Sequence, residues 1–274
     1  MAKSLFTDRE YLQTDQYRDP YKLNARINIH ERFSTNPYNF YLWIFDQFEL
    51  PPDCDILEVG CGPGDVWEKN LPRLPVGWRL TLTDFSIGMV EKARHRLQTS
   101  EHPFRFAVAD VQDIPFPTER FDALIANHML YHVPDREQAI AEIHRVLRPG
   151  GLLYATTNGR KHLQELAHLA RRFDPDAFEA ARREDPDLLS SENFGLESGW
   201  GQLSPWFFHV KQKKYEDGLI VTEPEPLATW VQSWAGLIFG DKVEAFVEFM
   251  QNELVCRGVL RFTKEPGIFI AQRA

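Results

Sequence analysis

The chain has 274 residues, 43% of them hydrophobic, enough to bury a substantial core in one elaborated domain. Its 40 acidic residues outnumber 31 basic ones, for a net charge of -9, and no run of Lys or Arg is long enough to track a phosphate backbone, which argues against nucleic acid as the main partner. Cys54, Cys61 and Cys256 form no CxxC pair and suit a reducing cytoplasm, while the polar N-terminus and the lack of any apolar stretch near the ~20 residues of a spanning helix imply neither export nor membrane insertion.

In chain order, residues 1–50 read as an N-terminal helical cap and residues 51–274 as the main domain. Within the cap, one or two helices are predicted over 21–48, with Phe33-Ser34-Thr35-Asn36-Pro37 as the break. Tyr38, Phe40, Tyr41, Trp43, Ile44 and Phe48 form a stripe expected to pack on the core. From Asp55 onward, short apolar runs alternate with polar helical stretches, the pattern of a largely parallel sheet with helices between its strands. Strands are predicted over 55–59, 79–83, 104–109, 121–126 and 151–156, the last following the turn Arg148-Pro149-Gly150-Gly151. The helix before that turn, 136–147, carries Ile140, Ile143, Val146 and Leu147 at helical spacing.

Residues 158–201 read as a charged helical insertion with breaks at Asp174-Pro175 and Asp185-Pro186. Two further strands, 207–215 and 267–272, flank a helical stretch over 226–256 and bring the strands to seven. Lys211, Lys213 and Lys214 make a local basic patch, read as a solvated strand edge. Trp200, Trp206 and Trp234 mark either a dimer contact or core, so monomer and homodimer both stand open.

The run Ile56-Leu57-Glu58-Val59-Gly60-Cys61-Gly62-Pro63-Gly64-Asp65 takes an apolar strand into three glycines at alternate positions. Glycine lets the backbone turn sharply and pass close to a bound molecule, here at the carboxyl end of the first strand, where open α/β sheets bind ligands. Dinucleotide spacing, GxGxxG, would need glycine where this chain has Asp65, and Pro63 stiffens the loop, so a pyrophosphate is not the expected ligand. An acid at the helix start repels phosphate but suits a cationic group, and the amino and sulfonium groups of S-adenosylmethionine (SAM) meet that description. Asp84 and Asp110 end the next two strands. The first is positioned to take both ribose hydroxyls and the second the exocyclic amine of adenine, with Phe85, Met89 and Val111 around the ring. Each acid alone is more commonly a turn or cap residue, so it is the ordered set that carries the reading.

Together these stretches resemble the class I SAM-dependent methyltransferases, particularly the ubiquinone-biosynthesis-like group. The marks are the glycine run after Glu58-Val59, Thr83-Asp84-Phe85-Ser86, Ala109-Asp110 with Ile114-Pro115-Phe116, Phe121-Asp122, Leu130-Tyr131-His132-Val133-Pro134-Asp135 and Val146-Leu147-Arg148-Pro149-Gly150-Gly151. They span roughly residues 55–156. The resemblance implies an α/β fold: a Rossmann-like, seven-stranded, mostly parallel sheet with helices on both faces and the last strand antiparallel. It puts Glu58, Gly60, Gly62 and Gly64 around the methionine part of SAM, Asp84 on the ribose, and Phe85, Ser86, Asp110 and Val111 around adenosine. Asn127 is expected to face the methionine amine through its backbone. Methyl transfer to a small molecule, with S-adenosylhomocysteine as product, is the implied activity.

Transfer from a sulfonium is an in-line displacement that disperses positive charge, so the protein mainly aligns the nucleophile and excludes water. A base is needed only where the acceptor must lose a proton. His128 and His132, after the fourth strand, are the candidates, set against ordinary turn or structural roles. Their i, i+4 spacing has no third ligand nearby, so no metal is expected. By fold analogy, Tyr21, Arg26, His30 and Phe33 in the cap, with Asn158 and His162 after the fifth strand, line or lid the acceptor pocket, Arg26 serving as counter-charge to the methionine carboxylate. For any one of them taken singly, ordinary packing and solvation is the favoured role.

Three rival functions remain in play. An NAD- or FAD-dependent oxidoreductase is opposed by the glycine spacing. A methyltransferase acting on RNA or protein is opposed by the net charge and by Asn127-His128-Met129-Leu130, which lacks the Pro-Pro-Tyr clamp for planar nitrogen acceptors. A non-catalytic SAM-binding regulator would keep the same cofactor loop, and only turnover distinguishes it.

Overall fold

The computed structural model describes residues 20–184 and 192–274, with side chains from residue 25 onward apart from that of Glu192. In chain order the elements are α1 (Pro20–Phe33), α2 (Phe40–Phe45), β1 (Cys54–Val59), α3 (Asp65–Asn70), β2 (Trp78–Asp84), α4 (Ile87–Leu97) and β3 (Phe104–Val108). Then come β4 (Phe121–Asn127), α5 (Arg136–Val146), β5 (Leu147–Asn158), α6 (Gln164–Phe173), α7 (Pro175–Glu184) and α8 (Gly199–Leu203). The last are β6 (Phe208–Lys214), β7 (Asp217–Val221), α9 (Pro224–Phe239), α10 (Val243–Arg257), β8 (Leu260–Lys264) and β9 (Pro266–Gln272). The described residues fall into two compact units: a sheet unit of 38–159, 192–215 and 267–274, and a helical unit of 20–37, 160–184 and 216–266.

In the sheet unit, seven strands run in the order β3-β2-β1-β4-β5-β9-β6. β1 to β5 pair in parallel and β9 pairs antiparallel with β6, so the sheet is mostly parallel with its last strand reversed, as the resemblance implies. All six residues of β1 are buried. Leu57 and Val59 join Leu124, Ala126, Leu153 and Ala155 on one face, while Cys54 and Ile56 join Leu80, Leu82, Ala123, Ile125 and Tyr154 on the other. A strand walled on both faces reads as a near-continuous apolar run, which is why β1 and β4 were visible in the sequence. α5 covers the first face with Ala139, Ile140, Ile143 and Val146.

The second face is covered in part by the segment that follows α2. Phe45 lies 5.6 Å from Trp78, Phe48 lies 4.9 Å from Tyr154, and the Tyr154 hydroxyl accepts the Glu49 N–H at 3.0 Å. These contacts tie residues 38–50 to the sheet, so the compact units divide near residue 37, whereas the expected cap ran to residue 50. The Arg148-Pro149-Gly150-Gly151 turn lies inside β5. Register slips between the pairs Phe121–Leu147 and Ala123–Leu152, so the turn is a bulge in a 12-residue strand rather than its beginning. β6 is an edge strand on which Lys211, Lys213 and Lys214 are exposed, in keeping with the solvated-edge reading. Trp200 is 57% exposed, whereas Trp234 is core.

The helical unit packs α1, α6, α7, α9 and α10 with the antiparallel pair β7–β8 around Ile29, Phe33, Leu166, Phe178, Trp230, Phe246 and Phe262. Asp174 parts α6 from α7 as expected and accepts the Ala177 N–H at 3.0 Å, while Asp185-Pro186 lies outside the described residues. The stretch expected as one helical region over 226–256 is two helices, α9 and α10, parted at Gly240, whose φ is 51°. β7 and β8, five residues each, went unrecognised: β7 does not alternate, and β8 alternates apolar and polar residues over too short a run to stand out. Among the described residues no helix is long and apolar enough to cross a membrane.

A buried ion pair holds this unit together. The Asp217 side chain is fully buried and pairs with Lys264, itself only 8% exposed. Asp217 Oδ1 also accepts from Ser34 Oγ at 2.7 Å and from the backbone N–H groups of Thr35, Asn36 and Gly218 at 3.0, 3.1 and 2.7 Å. Desolvation acts to raise the Asp217 pKa, but the Lys264 and Ser34 hydrogen bonds outweigh it and leave the group below its ordinary value. Asp217→Ala strands a buried ammonium and several backbone donors, so a loss of about 3–5 kcal/mol is expected in urea unfolding. The double change Asp217→Ala, Lys264→Met should recover part of it. A single variant as stable as wild type would show that the pair contributes nothing.

Candidate cofactor site

The order of strands reverses between β1 and β4, which opens a crevice at their carboxyl ends. The chain leaves β1 through Gly60, Gly62 and Gly64, whose φ values of 64°, 53° and 84° are strained for any other residue type. Their surroundings differ. A Cβ on Gly60 would stand 2.8 Å from Cβ and Cγ of Met129, and one on Gly64 would stand 3.2 Å from Leu97. Those two glycines are required by protein packing. A Cβ on Gly62 would meet nothing within 4 Å, so this is the glycine that leaves open space for a ligand.

Asp84 closes the loop. Its Oδ2 accepts the Gly62 N–H at 2.9 Å and its Oδ1 the Ser86 N–H at 2.8 Å, and each oxygen keeps a lone pair for a hydroxyl donor. Desolvation raises its pKa more than the two N–H donors lower it. Ser86 stands at the N-cap of α4 without a side-chain capping bond. Phe85 beside it is half-buried, and Met89 is 2% exposed. Ile87, passed over in the sequence, is 64% exposed at the first turn of α4. An apolar residue directly after Asp84-Phe85-Ser86 was the available signal.

Asp110 sits in a turn. Its Oδ1 accepts the Gln112 N–H at 2.9 Å and Gln112 Nε2 at 3.1 Å, and its carbonyl accepts the Asp113 N–H at 3.1 Å. Val111 packs in the core with Leu57, Val59 and Ile114. The turn and packing duties that compete with a ligand role are therefore both present. Asp65 requires a correction: Arg96 pairs with it and lies 3.4 Å from Glu68, so the acid at the start of α3 is largely compensated and its repulsion of phosphate carries less weight than the sequence suggested.

Glu58 is 2% exposed at the end of β1. Trp67 Nε1 donates to one of its oxygens and Asn127 Nδ2 to the other at 2.8 Å. Thr156 Oγ1 donates to Asn127 Oδ1 at 3.3 Å and accepts the His128 N–H at 3.0 Å. One line of hydrogen bonds thus joins the ends of β1, β4 and β5. Asn127, expected to act through its backbone, has its side chain committed to Glu58. Burial pushes the Glu58 pKa up to about 8, with the Trp67 and Asn127 donors pulling the other way.

His128 has a φ of 48°, a left-handed backbone that outside glycine is found mostly at asparagine, aspartate and histidine. Its N–H is also within 3.2 Å of the Thr156 carbonyl, and its ring lies 5.5 Å from Phe40 and 6.2 Å from Tyr131. His132 ends a short 3-10 turn with its ring 4.4 Å from that of Tyr131. Of the six lid candidates, Asn158 belongs to the sheet unit, where its carbonyl accepts the Leu196 N–H at 3.1 Å. Arg26, His30, Phe33 and His162 belong to the helical unit. Arg26 donates to the Ser233 carbonyl at 3.2 Å, the rings of His30 and His162 are 6.2 Å apart, His162 Nδ1 accepts the Glu265 N–H at 3.3 Å, and Phe33 is core. Tyr21 lies in α1, its side chain outside the described residues.

Residues 57–155 match the family described as "Methyltransferase domain". Malonyl-[acyl-carrier protein] O-methyltransferase of Enterobacter lignolyticus is 34% identical over 122 residues, which make up 43% of this chain and 45% of that protein. Ubiquinone/menaquinone biosynthesis C-methyltransferase UbiE of Geotalea daltonii is 37% identical over 107 residues, 38% of this chain and 46% of that one. The chain spans about half the length of the curated relatives it matches. Among solved structures, phosphoethanolamine N-methyltransferase 2 of Haemonchus contortus, in complex with S-adenosyl-L-methionine, has a TM-score of 0.60 at 16% identity over 97% of this chain and 59% of that one, a likeness of fold.

The raised pKa of Glu58 has a measurable consequence in the protein alone. An acid whose folded pKa is raised holds its proton where the unfolded chain has released it, so Glu58 lowers stability progressively as pH rises from about 4.5 to about 8. Glu58→Gln should flatten that part of the urea-midpoint profile against pH. Parallel profiles for the variant and wild type would remove the raised pKa.

Proposed function

We propose that this class I SAM-dependent methyltransferase moves the methyl group of SAM to a small-molecule acceptor by in-line displacement, leaving S-adenosylhomocysteine. The chain belongs to that family through residues 57–155, and SAM is its cofactor. The observation that carries the proposal is the open space over Gly62, whose N–H donates to the Asp84 carboxylate, in the loop that follows the buried acid Glu58. A cationic ligand with a diol suits that donor and acceptor set.

When bound, SAM supplies an electrophilic methyl on a sulfonium. Asp84 accepts from the ribose hydroxyls through the lone pairs that Gly62 and Ser86 leave open. Glu58, with Gly60, Gly62, Gly64 and Asn127, surrounds the methionine part. As a carboxylate Glu58 answers its positive charge, so binding favours release of the Glu58 proton. Phe85, Ser86, Met89, Asp110 and Val111 lie around adenosine, joined by the exposed Ile87. For an acceptor that must lose a proton, His128 is the base: its backbone is held left-handed by Thr156 at the end of β4, the strained setting that functional residues often have. His132 is the weaker candidate, and Tyr21, Arg26, His30, Phe33, Asn158 and His162 stay proposals for the acceptor side. The net charge of -9 supports a small molecule over nucleic acid, and three free cysteines support a cytoplasmic setting.

Calorimetric titration should give micromolar binding of SAM and S-adenosylhomocysteine and none of NADH. Asp84→Ala and Gly62→Arg should each weaken SAM binding by about 2 kcal/mol or more while keeping the far-ultraviolet spectrum. NADH binding alone, or wild-type SAM affinity in both variants, would overturn the site.

His128→Asn keeps a residue tolerant of the left-handed backbone and removes the base. With a proton-losing acceptor, kcat should fall by roughly 10²–10⁴ with SAM affinity unchanged. An unchanged kcat would assign His128 to packing alone.

A further inference from the structure

We infer that the helical unit holds a second binding site, made only of its own residues, that takes a compact phosphate group against Arg172, Arg257 and Arg261. The inference does not depend on methyl transfer. A cavity of about 190 Å³ opens where α6, the end of α10 and β8 meet. Glu165, His168 and Arg172 line it from α6 at spacings of three and four, which puts them on one helix face. Arg257 comes from the last turn of α10 and Arg261 is the second residue of β8. Leu169, Leu260 and Phe262 complete the lining, so the charges stand over an apolar floor.

The acids present do not neutralise this recess. One carboxylate, Glu253, is shared by two guanidiniums: it pairs with Arg172 through one oxygen and with Arg257 at 2.6 Å through the other. Both arginines remain 52% exposed, with further N–H donors to offer. Glu165 is turned toward the backbone, its two oxygens accepting Thr263 Oγ1 at 2.6 Å and the Thr263 N–H at 2.8 Å. Arg261 has no ion pair among the described residues.

Three guanidiniums against two engaged carboxylates leave a net positive recess on a chain whose overall charge is -9. The planar guanidinium fork matches the oxygens of a phosphate, and a small cavity lined by three arginines favours a dianion over a single carboxylate. The size suits inorganic phosphate or the end of a phosphate monoester. Free phosphate and a phosphorylated metabolite share this chemistry.

The test is calorimetric titration of the full chain with inorganic phosphate, glycerol phosphate and succinate, for wild type, Arg261→Glu and Arg257→Ala. Both positions are exposed, and the unfolding midpoint of each variant shows whether the fold is retained. The expected result is phosphate binding in wild type that weakens by about tenfold or more in Arg261→Glu and in the same direction in Arg257→Ala, at an unchanged midpoint. Tighter binding of glycerol phosphate than of the free ion would make the ligand a phosphorylated metabolite, and the reverse would make it free phosphate. No phosphate binding in wild type, equal affinity in Arg261→Glu, or preference for succinate over both phosphates would overturn the site.

Discussion

A carboxyl group shut into the end of the central strand sets what its neighbours can be. Glu58 needs a donor on each oxygen, so α3 must deliver the Trp67 indole and β4 must end in the Asn127 amide. Asn127 then needs Thr156 from β5, and Thr156 in turn holds the His128 N–H where the chain leaves β4. Three strand ends and one helix are committed by a single acid. Replacing any one member would strand a buried polar group, which costs more than a hydrogen bond adds. The same chain of bonds connects Glu58 to His128, the residue proposed as a base.

How much of this was readable in the sequence depends on how local each cause is. β1 announced itself because a strand buried on both faces is a plain apolar run, and the turn after it because left-handed backbone selects glycine. The reason for each glycine was not local. Gly60 and Gly64 are small because Met129 and Leu97 crowd them, and those residues lie far along the chain. The compensation of Asp65 by Arg96 was hidden for the same reason, since neither helix alone shows that they pair.

The helical unit was the least legible part. Its segments come from three separate stretches, and the ion pair at its centre joins Asp217 to Lys264 and to the turn after α1. No window of sequence contains those partners together. The charged helical region and its break at Asp174-Pro175 were legible, but β7 and β8 were not, because their pairing depends on that distant arrangement. Residues 38–50 carried an aromatic stripe expected to pack on the core, and Trp78 and Tyr154 on the sheet are what its last turn and the residues after it meet.

The strand order has a consequence for how the molecule is made. β9 lies between β5 and β6, yet β6 ends at Lys214 and β9 does not begin until Pro266. During synthesis, β5 and β6 must therefore wait with a slot between them while α9, α10 and β8 emerge. Until β9 enters, β5 and β6 each expose an unpaired backbone edge, open to any passing strand. The three lysines on β6 then have a second value: charge on that edge discourages the wrong partner during the interval before the right one arrives.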